Sequence, residues 1–449
     1  MTTEIARFDP RPSTQFVPAP QQHPPQVAPY SISSSEWLAA TIAIVVQSGA
    51  FVPLANYINN VPVITATLGA YPNKFNTFSV ALSAFLISIY AFPWRRRIVR
   101  LQVKNISENF LTLFILASAA WSIHPDITIW RSGSYVFTML IASYISTRFC
   151  LNDVMRIFSL SLAFSAIGSV LFVAAFPEYG TMRELGGAWR GVFPHKNSFG
   201  LIAAIGVFVE LYLISDLRSW RRILHLCLLI GYFSLAGLSQ SATAVILASL
   251  FSIGASFYFL VRRGGLLAIF GLATIGSVGL LALFSIVMDP VLALSIAGRE
   301  ISLTGRTNLW PLVFELIGQK PLLGWGYGAT WLAGDGASLY VWRAVGLWAS
   351  NSHNGFLEIA LQLGWLGMAL LLLVIGIALR RAIGCCLNGA LPLGAFALLF
   401  FICAILGDMT DVALAMNQNI EWLIFTVLYF TCGMELSTRN PKPNLALPS

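Results

Sequence analysis

The chain has 449 residues, of which 57% are hydrophobic and 10% charged, with a formal net charge of +8 and 6 cysteines. A soluble globular domain carries about 25% charged residues, so this chain has too little polar surface to face water on every side. The basic excess does not read as a nucleic-acid footprint, because the Lys and Arg residues fall in short runs between apolar segments.

In chain order, residues 1–36 are rich in Pro, Gln and Ser. Such a segment buries too little apolar surface to offset its conformational entropy, and it reads as a disordered cytoplasmic tail. No cleavable signal peptide is visible in it. A polytopic membrane domain is expected over 37–434, followed by a second cytoplasmic tail at 435–449. About twelve spans are expected, near 37–56, 75–94, 106–123, 129–147, 154–176, 192–214, 223–239, 242–261, 266–288, 354–379, 391–411 and 419–434. Arg95-Arg96-Arg97, Arg148, Arg156, Arg221-Arg222, Arg262-Arg263, Arg380-Arg381 and Arg439 then share one side. The positive-inside bias makes that side the cytoplasm and puts both termini there. All six cysteines map to spans or to that side, so no structural disulfide is expected.

Nine basic residues remain outside: Lys74, Arg131, Arg183, Arg190, Lys196, Arg299, Arg306, Lys320 and Arg343. Cations placed against the topology bias suit an anionic ligand, and an Arg fork suits a phosphate or pyrophosphate. For Arg183, Arg299 and Lys320, pairing with a neighbouring acid or a lipid headgroup is the better account. Arg190, Arg306 and Arg343 sit beside Trp189, Trp310 and Trp342, and a functional role is favoured for them.

The long outward loop, 289–353, carries the best candidates for chemistry. Residues 304–314 read as an amphipathic interfacial helix capped by Thr304, with Trp310, Val313 and Phe314 on one face and Arg306 at headgroup depth. The glycine-rich stretch 321–328 reads as tight turns or a re-entrant corner. At the end of the loop, Ser350, Asn351 or Ser352 can cap the next helix, setting His353 in or near its first turn. The helix dipole and nearby arginines would lower that imidazole pKa and keep it a neutral base. Gly364 and Gly367 would then let another helix pack closely. His195-Lys196-Asn197 opens the sixth span in a similar way. Glu210 is the one clearly intramembrane carboxylate, and snorkelling near the cytoplasmic end accounts for it. The first outward loop, 57–74, contains no Asp or Glu, which argues against a metal held there by acidic ligands.

His353-Asn354, nine residues, then Gly364-x-x-Gly367 resembles a signature of the O-antigen ligase and Wzy-type polymerase superfamily. The stretches Gly305 to Trp310, Pro321 to Gly328 and Gly191 to Asn197 are similar to that family too. So is the layout of about twelve spans with a long external loop. The resemblance implies a GT-C-like all-α membrane fold and a metal-independent glycosyltransferase without cofactors. Its substrate would be an undecaprenyl-pyrophosphate-linked glycan at the periplasmic face of a bacterial inner membrane. A chain-length regulator and a flippase of the same pathway would be partners. By the same resemblance His353 assists the acceptor hydroxyl, and Arg306, with Arg190 and Arg343, holds the leaving pyrophosphate. His195, Lys196, Asn197 and Asn354 are the further substrate-binding candidates. Some polymerases of the family show an Arg-x10-Gly pattern, whereas nine residues separate Arg190 from Gly200 and eleven separate Arg306 from Gly318. The resemblance therefore carries the histidine further than the arginines. Trp121-Ser122-x-x-Pro125 favours ExoQ-like exopolysaccharide polymerases over ligases that transfer glycan to lipid A-core. A lipid-linked oligosaccharide or sugar transporter is the reading from another class, but it would place its polar groups in mid-span around a central path.

Overall fold

The computed structural model describes residues 32–51, 54, 74–216, 220–263, 306–332, 336–345 and 349–439. The expected span at 266–288, most of the first outward loop, Arg299, the cap Thr304 and both extreme tails lie outside the described residues.

The described chain is helical, with one two-stranded antiparallel ladder, Thr181–Met182 against Ala188–Trp189. In chain order the main helices are α1 (Ser34–Gln47), α2 (Lys74–Ala91), α3 (Arg95–Lys104), α4 (Ile106–Ala117), α5 (Pro125–Arg148), α6 (Leu151–Ala175) and α7 (Lys196–Asp216). They continue with α8 (Arg221–Leu238), α9 (Ala242–Arg263), α10 (Arg306–Gln319), α11 (Gly336–Val345), α12 (Gly355–Leu387), α13 (Leu391–Asp408) and α14 (Ile420–Arg439). Eleven of the twelve expected spans therefore contain a helix. Eight helices among the described residues are long and apolar enough to cross a membrane. The protein is an all-α polytopic membrane protein.

Two kinds of helix differ in what they face. On α2, Phe75, Phe78, Leu82, Phe85 and Ile89 recur at helical spacing and are all exposed. That face has no place in water and fits lipid. On α5, Thr128, Ser132, Ser134, Thr138, Ser143 and Ser146 are all buried. This helix is surrounded by protein, which explains how it can be less apolar than its neighbours. Short hydroxyl side chains satisfy themselves on their own helix there: Thr138 Oγ1 donates to the Ser134 carbonyl and Ser143 Oγ to that of Met139.

Arg97 and Arg148 both lie over the Trp94 ring, at 4.8 and 4.9 Å, and Arg381, near the far end of α12 from His353, donates to Asn105 Oδ1 at 2.6 Å. The first span is shorter than expected, because α1 stops at Gln47. Gly49 and Phe51 then turn through left-handed conformations, and the Phe51 N–H donates to the Val192 carbonyl.

Three expectations change with the packing. Glu210 does not snorkel: it is fully buried, accepts from Ser159 Oγ at 2.7 Å and meets His225 Nδ1 at 2.5 Å. Nor is it alone, since Glu108, Glu358, Asp408 and Glu421 are buried as well. The third change concerns Gly364, which is not the contact point of a neighbouring helix.

At Gly364 (φ 66°, ψ −172°) the helix α12 is broken. The break frees backbone groups that segment 321–326 takes up. Trp325 and Gly326 donate N–H groups to the Leu361 and Gln362 carbonyls, and the Pro321 carbonyl accepts from Trp365 at 2.8 Å. Only glycine fits this crossing, as a Cβ on Gly364 would lie 2.2 Å from the Leu322 carbonyl oxygen. By helical rise the break lies about 14 Å along α12 from its start. The glycine-rich stretch is therefore a loop clasped into a helix break. Irregular backbone at that depth is tolerable because protein satisfies it.

Candidate active site

Two helix starts and one helix-borne arginine build the site. The start of α12 is capped by Asn354, whose Oδ1 accepts the Leu357 N–H at 3.1 Å and whose Nδ2 donates to the Met409 carbonyl at 3.2 Å. The cap is thus two residues beyond the last of the three expected candidates. His353 consequently lies outside the helix, in a left-handed conformation with φ 51°. Its N–H donates to Asn351 Oδ1 at 2.8 Å. His353 Nδ1 is buried and has no hydrogen-bond partner among the described residues.

The start of α7 is similar. Its preceding residue, His195, accepts the Asn197 N–H on Nδ1 at 3.1 Å, and its carbonyl accepts from Phe199. A neutral imidazole used this way at Nδ1 carries its hydrogen on Nε2. Burial pushes the His195 pKa down to about 4, helped by His353 when that ring is protonated and by the charges of Lys196 and Arg190. Burial likewise pushes His353 down to about 4, with the Arg306 charge adding to it. Both rings are therefore neutral near pH 7.

Arg306 opens α10 and is half-buried. Its Nε has no hydrogen-bond partner among the described residues, and burial works against its charge while Asp411 supports it. Asp411 is in turn pushed up to about 6 by burial, against the pull of Arg306 and the Val412 N–H. Helix α10 holds Arg306 through Leu309, Val313, Leu316 and Ile317, all buried. This is not the expected face, as Phe314 is 52% exposed. Pro311 is the sixth residue of the helix, beyond the first turn, so one helical hydrogen bond is lost there.

Electrostatic neighbours thus run in a chain from Arg190 through His195, His353 and Arg306 to Asp411. Arg190 is almost fully buried, and its Nε donates to the Tyr179 carbonyl at 2.6 Å. Lys196 leans away, its Nζ donating to the Gln240 carbonyl at 3.2 Å. Arg343 is not brought into the cluster by any hydrogen bond among the described residues and is exposed on α11. Arg183 pairs with Glu178 at 3.2 Å, and Lys320 covers the Trp325 ring at 4.3 Å, both ordinary structural uses. A cavity of about 290 Å³ lies further along α10, between Leu316, Gln319, Trp325, Tyr340 and the Ile123-His124 turn.

Sequence reasoning passed over Asp411 and the pair Glu358–Gln362, and it gave Arg131, one of the nine outward basic residues, no role of its own. Arg131 reaches from α5 to the Gly328 carbonyl and would collide with any side chain there. For the pair a signal existed, because Asn354, Glu358 and Gln362 recur every four residues on one face of α12. For Asp411 none did, since it meets Arg306 only through the fold.

Residues 225–372, from α8 through Arg306 and His353 to the α12 break, match the family model described as O-Antigen ligase. Over these residues the chain is similar to that family. It is also 27% identical over 276 residues to the exopolysaccharide production protein ExoQ of Rhizobium meliloti (strain 1021), an alignment covering 59% of this chain. That alignment spans 62% of the relative's own length. The likeness to the O-antigen ligase and Wzy-type family, ExoQ-like, read above from the motifs, is thereby supported independently. The matched stretch contains His353, Asn354, Arg306 and Arg343, whereas Arg190, His195, Lys196 and Asn197 reach it from outside its bounds.

Proposed function

We propose that this protein polymerises undecaprenyl-pyrophosphate-linked oligosaccharide repeat units into exopolysaccharide at the periplasmic face of a bacterial inner membrane. The observation that carries this reading is a neutral imidazole with an unpartnered, buried Nδ1, set next to an arginine with an unpartnered Nε at a helix start. A sugar hydroxyl and a pyrophosphate are the two groups such a pair accommodates.

In the proposed step the acceptor hydroxyl oxygen attacks the anomeric carbon of the lipid-linked glycan. The bond from that carbon to the phosphate oxygen breaks, and the hydroxyl proton passes to His353. Negative charge grows on the departing pyrophosphate, where Arg306 stabilises it without a metal. An imidazole with a pKa of about 4 is a weak base, but the arriving pyrophosphate offsets Arg306 and raises it toward the working range. Arg190 and His195 border the same space, and Asn354 supports it from the helix cap. A chain-length regulator and a flippase are the proposed partners, and both termini are proposed to be cytoplasmic.

Transfer to lipid A-core is the second reading, favoured by the description of the matching family model. The expected result of His353→Ala is loss of high-molecular-weight polysaccharide with normal membrane insertion. Arg306→Lys should lose activity nearly as fully as Arg306→Ala, because an ammonium lacks the planar paired donors of a guanidinium. Polymer of normal amount and length in either His353→Ala or Arg306→Lys would reject the corresponding role. Glycan found on lipid A-core instead of as free polymer would select the second reading.

A further inference from the structure

We infer that Trp310 and Glu358 are positioning residues that lock the Arg306 helix to the His353 turn. On the glycan-transfer reading above, they fix the anion-binding group and the base relative to one another.

Trp310 lies one turn beyond Arg306 on α10, so the two side chains are neighbours on the helix surface. Its indole Nε1 donates to the Ser352 carbonyl at 3.0 Å. Ser352 is fully buried and has no polar group left over. Its N–H donates to Glu358 Oε2 at 2.8 Å, and its Oγ donates to the Asn354 carbonyl at 2.8 Å. The next residue is His353, held at positive φ. A histidine relaxes from that conformation unless its surroundings over-determine it. Fixing both sides of the preceding peptide supplies that constraint.

Glu358 is the hub of the arrangement. It is buried to 1% exposure and also accepts from Trp331 Nε1 at 2.8 Å and Gln362 Nε2 at 2.6 Å. Gln362 Oε1 accepts the Gly328 N–H at 2.8 Å. One carboxylate therefore gathers the His353 turn, the loop inserted into α12 and α12 itself. Trp310 adds the fourth element, α10, through the single Ser352 carbonyl.

Removing the Trp310 donor frees that carbonyl while keeping the aromatic packing. The peptide before His353 can then rotate, and the imidazole swings off its target while Arg306 still binds the pyrophosphate. The test uses full-length protein in lipid nanodiscs, with undecaprenyl-pyrophosphate-linked repeat units extracted from cells lacking this protein. In Trp310→Phe, kcat should fall roughly 10- to 100-fold with KM nearly unchanged. Hydrogen exchange at residues 351–353 should quicken, and Trp310→His, which keeps an N–H donor, should recover part of both. Unchanged turnover in Trp310→Phe, or loss only in proportion to unfolded protein, overturns the inference. If wild-type protein turns over no lipid-linked units, the transfer reading fails instead. The clamp is then decided by exchange alone, faster in Trp310→Phe supporting it and unchanged exchange overturning it.

Discussion

His353 and His195 are held neutral mainly by burial, and that has a thermodynamic sign. Each ring has a folded pKa of about 4 against an ordinary value of 6.5. Above pH 6.5 both states carry neutral rings and the pair contributes no pH dependence. Between pH 6.5 and about 4 the unfolded chain binds protons that the folded one refuses, so stability falls as pH falls through that window. Thermal melting of the purified protein should therefore drop across it, and the double variant His195→Asn/His353→Asn should flatten that part of the curve. An equally steep curve in the double variant would show that other groups set the acid limit. The residue scale is also where the sequence was most legible. A histidine ahead of a helix start, beside an Arg-rich loop, could be read from residue types alone. Its left-handed backbone could not, because Ser352, Trp310 and Glu358 impose it from three separate places in the chain.

At the scale of elements, the break in α12 is the feature with the largest consequence. Gly364→Ala faces two penalties: a backbone region open essentially to glycine alone, costing about 1–3 kcal/mol, and a collision with the Leu322 carbonyl. The variant should lower the melting temperature and lose polymer together, whereas Gly376→Ala, which meets nothing nearby, should do neither. Normal stability of Gly364→Ala would mean that α12 runs straight through. The glycine spacing that suggested helix packing was real information about close approach. What approaches is a loop, and spacing cannot distinguish a loop from a helix. The amphipathic reading of α10 was sound in existence but not in face, since Leu309, Val313 and Leu316 are the buried positions.

At the scale of the whole molecule, alternation of basic residues carried the layout. Helices occupy eleven of the twelve expected spans because apolar length is a local property that the membrane enforces. Buried carboxylates were less legible, as Glu358, Asp408 and Glu421 lie at helix ends where sequence cannot separate headgroup from protein. The proposed orientation makes a clear labelling prediction. In a cysteine-free background, Tyr340→Cys should react with an impermeant maleimide on spheroplasts, while the natural Cys150 alone should react only after lysis. The reverse pattern would invert the bundle and place the candidate site on the cytoplasmic face.

The clasp between residues 321–326 and the α12 break also sets an order in time. Segment 321–326 leaves the ribosome about forty residues before Gly364 does. Its backbone partners on Leu361, Gln362 and Trp365 follow it in the chain and are not yet folded when it emerges. The loop must therefore wait, unpaired, until α12 has formed and can open at Gly364 to receive it. Assembly of the site is thus a late event in biogenesis, completed only after the tenth expected span is in place.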